Sequence, residues 1–321
     1  MKHSAMLITL LVIANYSTSI NAQPVTPLAP GPEVDAFKKA QDALLKKYGV
    51  RAKSRYVKLK KPALTAHVLE AGQGEPVLLI HGGGGFACGF APLMSALQKD
   101  FHVFAVDRPS CGLTDRFDYR ETTMREHAVD FVTSVMDSLD LPKATLVANS
   151  MGGLWAMQFA LAKPDRVTKL ILLGQPAWSS REMARLPQPA KASTPIEGAR
   201  AVLAAQLVAD VNRVPDEFLE VAVANILMPG WATSMNTGRE KFIKDKQGAY
   251  HLRPELKNLK APTLFIWGDK DQYGPPTLGE EMARLMPKAR CQVLSDAGHL
   301  PWLDQPEECN RLVLKFLKEE Q

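Results

Sequence analysis

Six short, almost wholly apolar runs, spaced by longer helix-like stretches, set the first constraint on this 321-residue chain. They are VLLI at 77–80, HVFAV at 102–106, ATLVA at 144–148, VTKLILL at 167–173, PTLFIW at 262–267 and CQVL at 291–294. A strand that is apolar on both faces has to be covered on both faces. The alternation therefore predicts the α/β class: a mostly parallel sheet with helices on either side. Helices are expected near 90–98, 123–139, 151–162 and 306–319, and further strands at 55–59 and 65–70. Between 175 and 260 the alternation stops. That stretch is helical and loop-like, carries Pro187, Pro189, Pro195, Pro215 and Pro229, and reads as a helical lid inserted between core strands. The core is thereby divided into 55–174 and 261–321. Before it, residues 23–54 hold a Pro-rich leader and a helix on Val34, Phe37, Leu44, Leu45 and Tyr48 that stops at Gly49.

The amino terminus reads as a targeting segment. A short basic start, the ten-residue apolar run Ala5–Ala14 and small residues up to Ala22 match a signal peptide over 1–22. The run is too short to span a bilayer. The expected mature protein begins at Gln23 and is exported, periplasmic or secreted. Export permits disulfides, and Cys88–Cys111 and Cys291–Cys309 are conceivable pairs, with free, partly buried thiols as the plainer reading. No pair has CxxC spacing, so a zinc site finds no support. The net charge of +5, from 39 basic and 34 acidic residues, is spread along the chain and forms no nucleic-acid footprint. Nothing in the sequence sets an oligomeric state.

Four segments carry chemistry. In Ala148-Asn149-Ser150-Met151-Gly152-Gly153 a strand runs directly into Ser150 and a helix begins directly after it. That layout lifts a serine hydroxyl above a sheet edge, and the close packing of a sharp turn requires small residues on both sides, here Ala148 and Gly152. His81-Gly82-Gly83-Gly84-Gly85 follows a strand, and its glycines allow backbone N–H groups to approach a ligand. An acyl-transfer oxyanion would take one N–H from Met151 and one from this loop, at Gly83. His81 itself reads as a brace for the loop. His299, in a loop past the last strand, is placed to act as a base, and a carboxylate after PTLFIW, Asp269 or Asp271, to orient it. Of the other histidines, His102 reads as core, His127 lies on a helix face, and His67 and His251 have no motif around them.

From about Thr65 to the C-terminus the chain resembles the α/β-hydrolases. The matching pieces are HGGGG (81–85), DRPSCG (107–112), ANSMGG (148–153), WGDKD (267–271) and GHLPWLDQPEECN (298–310). The order Ser, acid, His is that of this fold. The resemblance implies a serine hydrolase with Ser150 as nucleophile, His299 as base and Asp271, from the WGxxD pattern, as acid, with Asp269 its neighbour. The oxyanion hole would use the N–H groups of Gly83 and Met151. No metal or organic cofactor is implied, and the expected partner is a small-molecule substrate. Ser110 stands where the family's DxPGxGxS segment has glycine.

A serine nucleophile points to an acyl-enzyme, in contrast to the aspartyl esters of dehalogenases and epoxide hydrolases. Asn149-Ser150 and the glycine-rich loop also resemble the meta-cleavage C–C hydrolases. Those enzymes typically have Trp after the histidine and HGGGPGA, where this chain has Leu300 and HGGGGFA. The lid holds Trp178, Phe218, Trp231 and Phe242, suited to an apolar substrate group. Its basic residues include Arg181, Arg185, Arg200 and Arg213, and none of these sits in a motif that directs it. The expected reaction is hydrolysis of a carboxylic ester or related acyl bond, with C–C hydrolysis as the alternative. A hydrolase-fold binding protein without turnover is the other class, and an intact Ser, acid and His argue against it.

Overall fold

The structure is a computed structural model that describes residues 25–175, 186–244 and 251–319. The expected signal segment with Gln23, and Trp178, Arg181 and Arg185 of the lid, lie outside the described residues.

Ten strands are present among the described residues: β1 (Val25–Thr26), β2 (Lys53–Lys58), β3 (Thr65–Ala71), β4 (Glu75–Ile80), β5 (Phe101–Val106), β6 (Arg116–Phe117), β7 (Ala144–Asn149), β8 (Val167–Leu173), β9 (Thr263–Gly268) and β10 (Ala289–Leu294). Eight form one sheet in the order β10-β9-β8-β7-β4-β5-β3-β2, while β1 and β6 make a separate two-residue ladder. From β10 through β5 every pairing is parallel, and β3 and β2 then add antiparallel strands at one edge.

The pleat sends alternate residues to opposite cores. Val77 and Leu79 of β4 join one cluster, and Leu78 and Ile80 join the other. The first is covered by helices α1 (Pro32–Lys47), α2 (Ala91–Leu97), the short α9 (Pro301–Asp304) and α10 (Pro306–Lys318). The second is covered by α3 (Met124–Ser138), α4 (Ser150–Ala162) and α8 (Pro276–Leu285). Helix α10 shows the pattern that makes this possible. Leu312, Val313, Phe316 and Leu317 form a buried stripe, while its glutamates and lysines lie on the rest of the surface.

The segment between β8 and β9 holds α5 (Pro195–Val202), α6 (Asp216–Leu227) and α7 (Trp231–Lys244), so its expected helical character is observed. Val34, Phe37 and Leu44 of α1 share a core with Phe218 and Leu219 of α6. Phe86 bridges them, its ring 6.4 Å from Phe37 and 5.1 Å from Phe218.

Some expectations are corrected or completed by the structure. Helix α8 has no counterpart among the expected helices, although Leu278, Met282 and Leu285 recur at helical spacing between β9 and β10. His102 is not core: its side chain is 32% exposed and bonds Glu70 Oε1 at 2.8 Å. His102 stands at the start of β5, where the Glu70 carboxylate of the neighbouring β3 draws its imidazole toward solvent. All four cysteines are free, Cys88, Cys111 and Cys309 buried and Cys291 half-buried. Gly49 ends α1 as expected, with φ +64°.

Candidate active site

All the singled-out residues follow the carboxyl ends of parallel strands. The glycine loop follows β4, Ser150 follows β7, Asp271 follows β9 and His299 follows β10. In a parallel sheet these ends share one edge, which is where open α/β sheets bind ligands.

Ser150 has φ +49°, a left-handed conformation that a non-glycine residue adopts only when its surroundings enforce it. Here the turn from β7 into α4 enforces it. A Cβ on Gly152 would overlap the carbonyl oxygens of Ile80 and His81, so the helix packs onto the neighbouring strand only with glycine two residues after the serine. A Cβ on Gly82 would come 3.1 Å from Ser150 Cβ, which puts the glycine loop directly beside the serine. Gly83 is exposed, and a Cβ there would meet nothing within 4 Å, so open space adjoins its backbone. Met151 lies in the first turn of α4, where amide groups face out of the positive end of the helix.

His299 Nδ1 lies 2.9 Å from Oδ2 and 3.1 Å from Oδ1 of Asp271, with both side chains buried. A carboxylate only accepts, so Nδ1 carries the proton and Nε2 keeps its lone pair. Asp271 Oδ1 also accepts the Tyr273 N–H at 2.8 Å. The Tyr273 ring stacks on the imidazole at 4.2 Å. Burial first, and then the Asp271 charge, push the Tyr273 hydroxyl up to about 12, so it stays protonated at neutral pH. Asp269 is turned elsewhere: it accepts from Ser295 Oγ and the Ala297 N–H, each at 3.3 Å. Of the two candidate carboxylates, only Asp271 meets His299.

Further contacts hold the three loops together through Asn149, Leu300 and Asp304, residues of the matching segments whose partners the sequence does not reveal. Asn149 Nδ2 donates to the His299 carbonyl at 3.2 Å and to that of Leu173 at 2.8 Å, tying the serine strand to the histidine loop. Buried Asp304 accepts the N–H groups of Gly298 at 2.7 Å and Ala209 at 2.9 Å. Burial raises its pKa, against the pull of those amides. The Leu300 N–H donates to the Leu207 carbonyl at 2.9 Å, so the residue after the histidine is buried under the insertion.

His81 braces its loop as expected. Its Nδ1 donates to the Gly82 carbonyl at 2.8 Å and its Nε2 accepts the Arg108 N–H at 2.9 Å. Ser110, in the family's glycine position, keeps φ +73°, and its Oγ accepts the Phe117 N–H at 2.9 Å. The hydroxyl thus secures a turn that glycine would adopt without strain. Among the described residues no group of three or more His, Cys, Asp or Glu is arranged to hold a metal ion, and no helix is long and apolar enough to cross a membrane.

Comparison with known proteins agrees with the fold. Residues 77–312 match the model of the alpha/beta hydrolase family. A 2-hydroxy-6-oxo-6-phenylhexa-2,4-dienoate hydrolase of Burkholderia cepacia is 30% identical over 288 residues, covering 82% of this chain and 96% of that protein. A meta-cleavage product hydrolase from Pseudomonas fluorescens superposes with a TM-score of 0.71 at 26% identity, over 82% of this chain and 97% of its own. A carboxylesterase from Bacillus subtilis has a TM-score of 0.74 at 23% identity, over 90% and 99% of the two chains, a likeness of fold. The chain is a hydrolase and belongs to the alpha/beta hydrolase family.

Proposed function

We propose that the protein is a serine hydrolase that cleaves a carboxylic ester, or a related acyl bond, of an apolar small molecule. The observation that carries the reading is the His299–Asp271 bond at the sheet edge where the strained Ser150 turn emerges. Ser150 Oγ attacks the carbonyl carbon while its proton passes to His299 Nε2. Asp271 holds the Nδ1–H tautomer and stabilises the imidazolium. The N–H groups of Gly83 and Met151 donate to the oxyanion. The alcohol leaves with the proton from His299, and water then hydrolyses the acyl-Ser150. The helical insertion serves as a lid, and export from a precursor cut after Ala22 belongs to the same reading.

Hydrolysis of a dienoate C–C bond is the second reading, favoured by the names of the relatives at about the 30% level. Such a substrate carries a carboxylate that needs a cationic partner. Of the six arginines of the insertion, Arg200 is committed to Asp216, Arg213 to Asp296 and Arg253 to Glu281. Leu300 supplies no polar group beside His299, which supports the ester.

The test is a panel of p-nitrophenyl esters, lactones and a 2-hydroxy-6-oxo-dienoate, assayed with wild type and Ser150→Ala. Ester turnover should lead the panel and fall by about 10³-fold or more in the variant. Faster cleavage of the dienoate than of every ester replaces the first reading by the second. More than about a tenth of the activity left in Ser150→Ala rejects the nucleophile. A protein with no turnover and no fluorophosphonate adduct at Ser150 is a binding module. Mass spectrometry of the native protein should find Gln23 at the amino terminus, and an intact Met1 rejects export.

A further inference from the structure

Ser54, His67 and Asp107 form a hydrogen-bonded line away from Ser150. Strand β2, which carries Ser54, is the last of the sheet, and β3, β5 and β4 separate it from β7. Asp107 follows β5 directly and His67 lies within β3. His67 Nδ1 lies 2.7 Å from Asp107 Oδ2, and both side chains are fully buried. Ser54 Oγ lies 3.0 Å from His67 Nε2, and Ser54 itself is exposed.

The roles of the atoms follow from their neighbours. Asp107 also accepts the Ala87 N–H at 2.7 Å and the Leu113 N–H at 3.0 Å. Burial alone would raise its pKa, but the bond from His67 and these amides hold it below the usual carboxylate range. The carboxylate therefore accepts, His67 Nδ1 carries the proton, and Nε2 offers its lone pair to the Ser54 hydroxyl. The main-chain N–H of His67 donates to Thr114 Oγ1 at 2.8 Å, and the Tyr56 ring packs against the imidazole at 5.3 Å, tilted by 48°. A tether between β3 and the loop after β5 needs only the His67–Asp107 bond. It does not need a solvent-facing serine on the second nitrogen.

We propose that Ser54, His67 and Asp107 are a second nucleophilic relay, open at the sheet edge to small activated acyl or phosphonyl electrophiles. Ser54 Oγ bonds to the carbonyl carbon or phosphorus, and its proton passes to His67 Nε2. The leaving group, p-nitrophenolate or fluoride, departs with the electrons of the broken bond. With an ester, water then releases the acyl group as a carboxylic acid, and Ser54 regains its proton. Among the described residues no further strand pairs with the outer edge of β2, so its main-chain N–H groups can serve the developing oxyanion.

The test uses the full chain with Ser150→Ala, treated with a small alkyl fluorophosphonate or p-nitrophenyl acetate and mapped by peptide mass spectrometry. Ser54 should be modified about 10²-fold faster than the exposed Ser193 and Ser295 of the same molecule. Adding His67→Gln, in protein that retains its circular dichroism, should bring Ser54 down to the rate of those two serines. Modification of Ser54 at the rate of the controls, or unchanged by a folded His67→Gln, overturns the relay. If His67→Gln does not fold, the ratio within the single Ser150→Ala chain decides. Ser150 is read in a different peptide of the wild type, so failure of one nucleophile is distinguishable from failure of the other.

Discussion

Asn225 Nδ2 donates to the Gly84 carbonyl at 2.9 Å, and its Oδ1 accepts the Gly112 N–H at 2.8 Å. One fully buried amide on α6 of the insertion thus holds the glycine-rich loop and the loop after β5 together. Replacing Asn225 by Ala leaves the half-buried Gly84 carbonyl and the buried Gly112 N–H without that partner, at a cost of about 1–3 kcal/mol. Because Gly84 adjoins Gly83, kcat should also fall, by about tenfold, a modest share of what one oxyanion donor contributes. Urea melts and steady-state kinetics check both. An Asn225→Ala enzyme of lower stability and unchanged kcat separates the amide from the chemistry.

The two carboxylates after β9 give a ranking. Asp271→Asn should lower kcat/KM by about 10³- to 10⁴-fold, because the amide no longer enforces the His299 tautomer. Asp269→Asn should cost less than about tenfold, since Asp269 secures only the turn at 295–297. The reverse order in kinetic assays would reassign the acid.

Gly174 and Gly49 make a matched pair. Both have positive φ, +56° and +64°. A Cβ on Gly174 would lie 3.0 Å from Asp271 Oδ2 and 3.1 Å from His299 Nδ1, whereas one on Gly49 would meet nothing within 4 Å. Each Ala substitution should cost about 1–2 kcal/mol of stability from the left-handed backbone. Only Gly174→Ala should also lower activity, by more than about tenfold, by displacing the pair on which base catalysis depends. Equal activities in the two variants would remove Gly174 from the site's support.

Acid should destabilise the protein through two buried histidines. Burial, aided by the Arg108 charge, pushes His81 down to about 4 and His127 down to about 3, from 6.5. Below pH 6.5 the unfolded chain takes up protons at both positions while the folded chain does not, so stability falls as pH falls. Between about pH 7 and about pH 5 each histidine accounts for about 2 kcal/mol. Urea melts at the two pH values should show the loss, and His127→Phe should remove about half of it. An unchanged pH dependence in that variant would sink the assignment.

Much of the fold is legible in the chain because its signals are local. The apolar runs at 77–80, 144–148 and 167–173 each become a buried parallel strand, since nothing else satisfies a short segment that is apolar on both faces. The Ser150 turn is legible through Ala148 and Gly152, small residues whose spacing follows from steric contact within a few residues. Helix α8 carries a local signal of the same kind, with Leu278, Met282 and Leu285 at i, i+4 and i+7, and is nevertheless missing from the expected helices.

Local chemistry along the chain is thus enough to mark the order of strands and helices, the serine turn, the glycine loop and the candidate base. Packing in three dimensions brings Asp271, the carboxylate to which the WGxxD resemblance points, against His299 and turns the chemically similar Asp269 toward Ser295 and Ala297. Packing also buries His67, which has no motif, between Ser54 and Asp107, and brings Asn225 of the insertion onto the glycine loop. Those contacts join residues 13, 40 and 141 positions apart. Their partners are chosen by sheet register and helix packing, which no short window of residues contains.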